Sequence, residues 1–283
     1  VELSFVEAGR EPAPPVSTGQ QLGKAAAATE AADVALAADL EENLETLGVV
    51  EEIRAATADA IRSVGNVLKD LDVFSGLTSD VASLGFQVNQ MVNQAAALAV
   101  APATLAATVV GVWDGIVAAT GNALGALYAY EAILEQTPTL DGGTSTTAIG
   151  VDANTLLVFD FMRASAAGRA VQAGIQVDWE SLEDAQAGQA RIAAQIDDLL
   201  ERAADDVYPI LQDVRTAAAQ GIPVPGQTLP SIVTVTLPGC VPSLVLASTL
   251  YDQASREAEI VRRNRIRHPL FLPGLTPLEV LSG

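Results

Sequence analysis

The sequence predicts a mainly α-helical protein: a helical bundle or long hairpin in the middle of the chain, followed by a small β-α-α-β module. Apolar residues recur at helical spacing from residue 18 to about 219. After Gly221 a run of β-branched residues follows a Pro/Gly-rich linker. Aromatic residues make up 4% of the 283 positions, and much of the 49% hydrophobic content is alanine. We therefore expect closely packed helices with few large anchors.

The first 17 residues differ from the rest. Residues 1–8 alternate apolar and polar side chains, which is typical of a half-buried strand, and we expect this strand to belong to an upstream β domain. Residues 11–19 read EPAPPVSTG, a stiff extended linker. Thr18 and Gln21 have the spacing of a capping box. Residues 1–17 are thus predicted as strand and linker, and residues 18–221 as the helical region.

Breaks within the helical region are predicted from glycine, proline and polar turns. The clearest helix covers residues 182–219, with Pro209 expected to kink or divide it. Its apolar stripe comprises Ile192, Ile196, Leu199, Leu200, Ala203, Val207, Leu211 and Val214. Elsewhere the predicted breaks are Gly48, Ser75 with Gly76, Pro102, Pro138, the loop DGGTSTT from Asp141, and VDWES around Trp179.

Residues 95–113 form a long uncharged stretch, and their length makes them a candidate membrane span. Their alanine content and the interruption at Pro102 favour a buried or oligomer-packed helical hairpin, with transient membrane contact as the alternative. Two pairs of glycines, each with four-residue spacing, are candidate helix-packing positions. They are Gly111, Gly115, Gly121 and Gly125.

Groups that carry catalytic chemistry are scarce. His268 is the single histidine and Cys240 the single cysteine, so neither a disulfide within the chain nor a multi-cysteine zinc site can form. The stretch TGQQLGKAAA has Ala25 after Lys24, where a phosphate-binding loop needs Ser or Thr. We expect no enzymatic activity, no cofactor and no metal site.

Basic residues concentrate near the end of the chain. One short segment holds a third of the 15 Lys and Arg residues, in a chain whose net charge is -20. This cluster can contact a few phosphates or an acidic partner, and self-association through it is an equal alternative. Its members are Arg256, Arg262, Arg263, Arg265 and Arg267.

Residues 227–283 form one predicted module. SIVTVTL predicts a strand, and two helices follow. The first is expected to bury Leu244, Leu246, Ala247 and Leu250, and the second Ile260 and Val261. PLEVL predicts a closing strand beside the first. This order resembles a LysM fold, as do Asn264, Pro273 and Gly274; the first turn, LPGCVPS, lacks the Gly-Asp-Thr of sugar-binding members.

A narrower resemblance covers about a quarter of the chain. The run PSLVLASTLYDQASREAEIVRRNRIRHPLFLPGLTPLEVLS resembles the C-terminal end of the Mu-like phage DNA circularisation protein family, and VELSFVEAG resembles the exit from that family's N-terminal domain. The resemblance implies a contractile-tail or baseplate protein near the distal end of the tube, located in the virion and in the host cytoplasm during assembly.

Several functional expectations follow from this resemblance. The leading one is a structural protein that packs against tube, hub and tape-measure proteins and against copies of itself. Its partner-binding surface would comprise the arginine cluster and an apolar ridge of Leu270, Phe271 and Leu272. The first alternative is a DNA-end-binding circularisation protein, which the acidic charge disfavours. The second is a cell-wall-binding module, based on the LysM likeness alone.

Overall fold

The computed structural model describes residues 17–44, 51–70 and 78–282. The strand predicted at residues 1–8 and the breaks predicted at Gly48, Ser75 and Gly76 lie outside these ranges. Within them the protein is mainly helical, with eleven α-helices and one small two-stranded sheet. The predicted fold class is confirmed at this level.

The elements divide into a helical region and a short mixed segment after it. A single 3-10 turn, Ala254–Arg256, precedes the last helix. In chain order the elements are α1 (Thr18–Asn43), α2 (Glu51–Lys69), α3 (Ser79–Asn93), α4 (Ala95–Leu98), α5 (Pro102–Thr120), α6 (Ala123–Leu134), α7 (Thr146–Gln176), α8 (Leu182–Leu200), α9 (Tyr208–Gly221), β1 (Ile232–Thr236), α10 (Ser243–Tyr251), α11 (Glu257–Arg263) and β2 (Pro277–Leu281).

Helix α7 is the centre of the helical region. It packs against α1, α2, α5, α6, α8 and α9. Residues 161–171 are buried without interruption, so this part of α7 has no solvent-facing stripe. Small residues make such burial feasible: a Cβ on Gly168 would lie 2.6 Å from Thr29 Oγ1 of α1. The alanine-rich composition therefore serves close helix approach.

The start of α1 differs from the prediction by one residue. Ser17 is the N-cap, and its hydroxyl accepts a hydrogen bond from the backbone N–H of Gln20. The Gln20 side chain accepts one from the Ser17 N–H at 3.2 Å, which completes a capping box. Thr18 and Gln21 share the same spacing, but Gln21 is buried and Thr18 is the first helical residue.

The helix predicted over residues 182–219 is divided in two. Helix α8 ends at Leu200, and α9 begins at Tyr208 with Pro209 in its first turn, where a missing N–H costs no hydrogen bond. The predicted stripe is retained across the break, because Ile192, Leu199 and Leu211 are all buried. Asp197 of α8 and Arg215 of α9 form an ion pair that joins the two helices.

The uncharged stretch at residues 95–113 is not one helix. It comprises the short α4, a turn, and the first part of α5, which begins at Pro102. Among the described residues, α5 is the one helix long and apolar enough to cross a membrane. Its buried face includes Leu105, Val109 and Trp113. Asp114 of the same helix pairs with Arg169 of α7 at 2.8 Å.

The segment after residue 231 has its own apolar core. Strands β1 and β2 pair antiparallel, with Ile232 opposite Leu281 and Thr236 opposite Pro277. This core contains Leu237, Leu246, Ala247, Ile260, Leu272, Leu278 and Val280. The prediction that Leu244 and Leu250 point inward is wrong, because their exposed fractions are 49% and 37%. We call residues 232–281 the terminal module.

Candidate partner-docking surfaces

The terminal module is attached to the beginning of α8. Arg262 pairs with Glu180 at 2.5 Å, and Arg263 pairs with Asp184 at 3.0 Å and with Glu180 at 3.3 Å. Two backbone groups add to the contact: Ile232 N–H donates to Glu183 Oε2, and Leu182 N–H donates to the Pro230 carbonyl. These contacts hold the module at the N-terminal end of α8.

The Asp184 carboxylate is partly exposed within this contact, at 41%. Partial burial raises its pKa, but hydrogen bonds from the Ser181 hydroxyl and the Arg263 guanidinium outweigh burial and lower the pKa below its ordinary value. Asp184 is therefore ionised at neutral pH, and it faces a guanidinium whose side chain is only 10% exposed. The ion pair is fully charged under physiological conditions.

Arg256 also has an intramolecular role. Its guanidinium lies 3.6 Å from the centre of the Tyr251 ring and pairs with Glu259 at 3.1 Å. The Tyr251 hydroxyl in turn accepts a hydrogen bond from the Leu281 N–H of β2. This chain of contacts joins α10, α11 and the closing strand.

The predicted arginine cluster is therefore divided. Arg256, Arg262 and Arg263 have acidic partners within the chain, and the binding of all five arginines to another protein stays a prediction. The acidic partner of Arg256 is only three residues away, whereas those of Arg262 and Arg263 are about 80 positions away, so the sequence did not reveal the latter. Arg265 and Arg267 are exposed, and neither forms an ion pair within the described ranges.

An apolar ridge follows these two arginines in the sequence. Leu270, Phe271 and Leu275 have exposed fractions of 65%, 67% and 81%. Leu272, which was predicted to belong to the ridge, is buried, and its N–H donates to the Val241 carbonyl at 2.9 Å. The ridge prediction is thus wrong for Leu272, and Leu275 takes its place. We use "apolar ridge" for Leu270, Phe271 and Leu275.

The backbone that carries the apolar ridge is held in place. Ser243 at the start of α10 donates both its N–H and its hydroxyl to the Pro269 carbonyl, each at 2.8 Å. The Leu275 N–H donates to the Leu237 carbonyl at 2.8 Å. A Cβ on Gly274 would lie 2.7 Å from the backbone of Gly239, so only glycine allows this approach.

Asn264 fixes the exit from α11. Its side-chain amide donates to the Glu279 carbonyl at 2.7 Å and its oxygen accepts from the Glu279 N–H at 2.8 Å. The amide thus pairs with the outer edge of β2 as another strand would. Arg265, the next residue, has a φ of 50° and turns the chain toward Arg267. These contacts position the two exposed arginines relative to the closing strand.

A pocket lies at the other end of α8, which we call the end pocket. It is a cavity of about 290 Å³ between α1, α7 and the connection from α8 to α9. Apolar side chains form most of its lining, while Asp39, Asn43, Asp160 and Arg202 supply polar groups. The apolar part of the lining comprises Leu36, Leu157, Phe161, Ala164, Leu199, Ala203, Ala204, Val207 and Leu211.

The end pocket has an acidic rim. Arg202 is held by Asp160 at 3.0 Å and by Asp198 at 3.3 Å, so its charge is already compensated. Burial first, and then the negative charges of Asp206 and Glu42, raise the pKa of Asp39, against a hydrogen bond from Asn43. Asp205 and Asp206 are exposed nearby in sequence. A cationic group at the rim would relieve this repulsion.

Other buried charges serve the contacts between helices. Arg169 of α7 pairs with Asp33 of α1 at 2.9 Å and with Asp114 of α5. Arg163, also on α7, donates to the Leu134 carbonyl and pairs with Asp198.

Across the described part of the chain, no group of three or more His, Cys, Asp or Glu side chains is arranged to hold a metal ion. His268 and Cys240 are both exposed.

The four candidate packing glycines have different positions. Gly115 faces α3, where an added Cβ would lie 3.2 Å from Leu84 Cδ1. Gly111 faces open space, and Gly121 ends α5 with a φ of 66°. Gly125 lies in the first turn of α6, and its N–H donates to Asn122 Oδ1. The prediction that Gly121 and Gly125 share a helix face is wrong, because the helix ends between them.

Sequence comparisons leave the family of this chain open. No protein-family model matches it, and no curated protein matches it either. The described residues present two candidate docking surfaces: an apolar ridge with two exposed arginines on the terminal module, and the end pocket with its acidic rim at the far end of α8.

Proposed function

We propose that this chain is a structural component of a contractile phage tail or baseplate, which acts by packing against neighbouring proteins. The observation that carries the proposal is the apolar ridge. Three large apolar side chains, each at least 65% exposed, stand together in one segment of a small module. A group of exposed apolar side chains often marks a protein-binding surface, whereas a single exposed leucine is common on any protein. The resemblance of the C-terminal run to a tail-protein family supplies the tail context.

The ridge is well suited to docking because its backbone is already ordered. Hydrogen bonds from Ser243 to Pro269 and from Leu275 to Leu237 fix the segment, so little conformational entropy remains to be lost on binding. Aromatic and arginine side chains are the residue types that contribute most at protein interfaces. Phe271 with Arg265 and Arg267 provides such a set.

We further propose that the terminal module is LysM-like. Its β1, α10, α11, β2 order, the Asn264 contact with β2 and the close approach at Gly274 support this likeness. The first turn, LPGCVPS, does not favour sugar binding, so the module is proposed to dock on protein rather than on glycan.

The DNA-end-binding alternative receives less support. Three of the five clustered arginines already pair with acidic side chains of the same chain, which leaves Arg265 and Arg267 to face phosphates. Two cations on a chain of net charge -20 give a small electrostatic gain against a large general repulsion.

The proposal is tested by the location of the chain in phage particles and by the effect of ridge substitutions on tail assembly. Cryo-electron microscopy and protein mass spectrometry of purified phage particles should find the chain in the tail in fixed stoichiometry. Complementation with L270S/F271S should reduce the yield of complete tails, while F86S, which changes an equally exposed phenylalanine on α3, should support normal assembly. Particles that lack the chain altogether would refute a structural role in the tail.

A further inference from the structure

The two docking surfaces lie at opposite ends of one rigid element. The terminal module is held at residues 180–184, where α8 begins, whereas the end pocket is lined by Leu199 and by residues just after α8. Helix α8 has 19 residues and is therefore about 28 Å long. In this structure the apolar ridge is exposed and the end pocket is open, so the chain does not fill its own pocket.

The two surfaces also carry opposite charge. From residue 227 onward the chain has five arginines and four acidic residues, a net charge of +1, within a chain of net charge -20. Arg265 and Arg267 are exposed cations that come just before the ridge in the sequence. Asp39, Asp205 and Asp206 make the other end acidic. Burial first, and then the negative charges of Asp206 and Glu42, raise the pKa of Asp39.

The size of the end pocket also suits the side chains of the apolar ridge. A cavity of about 290 Å³ is just below the roughly 300–1,000 Å³ range of small-molecule pockets, and its lining combines a majority of apolar side chains with four polar ones. It is suited to one or two large apolar side chains rather than to a whole helix. The ridge offers Leu270 and Phe271, with a cation on the N-terminal side of them.

We infer that the apolar ridge of one copy of this chain docks into the end pocket of the next copy, in a head-to-tail contact. Leu270 and Phe271 enter the pocket, and Arg265 and Arg267 face the acidic rim. Because the two surfaces differ and lie at opposite ends of α8, each bound copy exposes a new ridge and a new pocket. Such a contact produces a ring or a stacked filament rather than a closed two-fold dimer. This inference rests on the proposed packing role and names a second copy as the partner.

Sedimentation velocity on the purified chain tests the contact over roughly 1 to 200 µM. A small interface predicts micromolar affinity, with species larger than a dimer as concentration rises. The ridge variant L270S/F271S and the pocket variant A203R/D206R should each remain monomeric, with affinity reduced more than about tenfold. F86S should assemble as the wild type does, and circular dichroism melts should show that every variant is folded.

A mixture of the two inactive variants gives the sharpest result. The ridge variant retains an intact pocket and the pocket variant retains an intact ridge, so the mixture should form a one-to-one heterodimer and nothing larger. A wild-type chain that stays monomeric throughout, or a pocket variant that associates as well as the wild type, would overturn the inference. Both outcomes leave the tail location to be judged separately from purified particles.

Discussion

Arg263 of the terminal module and Asp184 at the start of α8 are 79 positions apart in sequence, and their side chains meet in a 3.0 Å ion pair. With the neighbouring pair between Arg262 and Glu180, this contact fixes the module against the helical region. It also explains why a segment rich in arginine has less free positive charge than its sequence indicates.

We predict that R263A or D184N loosens the terminal module without unfolding the helical region. Each substitution removes one member of a partly buried pair, an effect of about 1 kcal/mol. Limited proteolysis of the 223–231 connection should become several-fold faster, and the matched change R54A, at an exposed pair within α2, should leave the rate unchanged. Equal cleavage rates in R263A and the wild type would show that the pair does not hold the module.

This contact should also depend on pH in a defined direction. The folded pKa of Asp184 is lowered, so its contribution to stability is complete above the ordinary aspartate pKa of about 3.9 and is lost as pH falls through the lower, folded value. Proteolysis with an acid-tolerant protease should show a constant rate from neutral pH to about pH 5 and faster cleavage below pH 4. In D184N this additional acid response should be smaller.

Arg169 should contribute more to stability than either of its acidic partners. R169M leaves Asp33, whose side chain is 17% exposed, without its cation inside the bundle, and a loss of about 3–5 kcal/mol in the free energy of unfolding is expected. D114N should cost much less, because the Asp114 side chain is 64% exposed. Urea unfolding followed by circular dichroism measures both, and equal losses would contradict this ranking.

Two glycines should respond in opposite ways to alanine. At Gly168 an added Cβ would lie 2.6 Å from Thr29 Oγ1, so G168A must push α1 from α7 and should destabilise the protein by about 1–3 kcal/mol. At Gly111 the same Cβ meets open space within a helix, so G111A should be neutral or stabilise by roughly 0.5–1 kcal/mol. Thermal melts of the two variants make the comparison directly. A stable G168A would show that the two helices can separate at little cost.

DNA binding should be weak and should not depend on the end of the duplex. Fluorescence anisotropy with a short linear duplex at physiological salt should show no saturable binding by the intact chain. Binding that falls steeply with salt and disappears in R265S/R267S would instead favour the circularisation alternative. R54S is a suitable control, since it removes an exposed arginine far along the chain from the cluster.

Local signals in the sequence predicted local structure well. Pro102 and Pro209 mark the first turns of α5 and α9, and the VDWES stretch separates α7 from α8, because proline placement and turn residues act within a few positions. Burial in the irregular segment near Leu272 could not be inferred from periodicity, since no helix or strand sets its phase. The ion pairs to Glu180 and Asp184 depend on the tertiary arrangement. The end pocket, assembled from three separate segments, left no pattern in the sequence.

Helix α7 has a consequence for how the chain is made. It is surrounded by six other helices, and residues 161–171 have no face for water. The neighbours α1, α2, α5 and α6 all leave the ribosome before it. At roughly 5–20 residues per second, synthesis from the start of α1 to the end of α7 takes about 10–30 s. During that interval the emerging helices have no central helix to cover their apolar sides, so the nascent chain is a natural client for a chaperone.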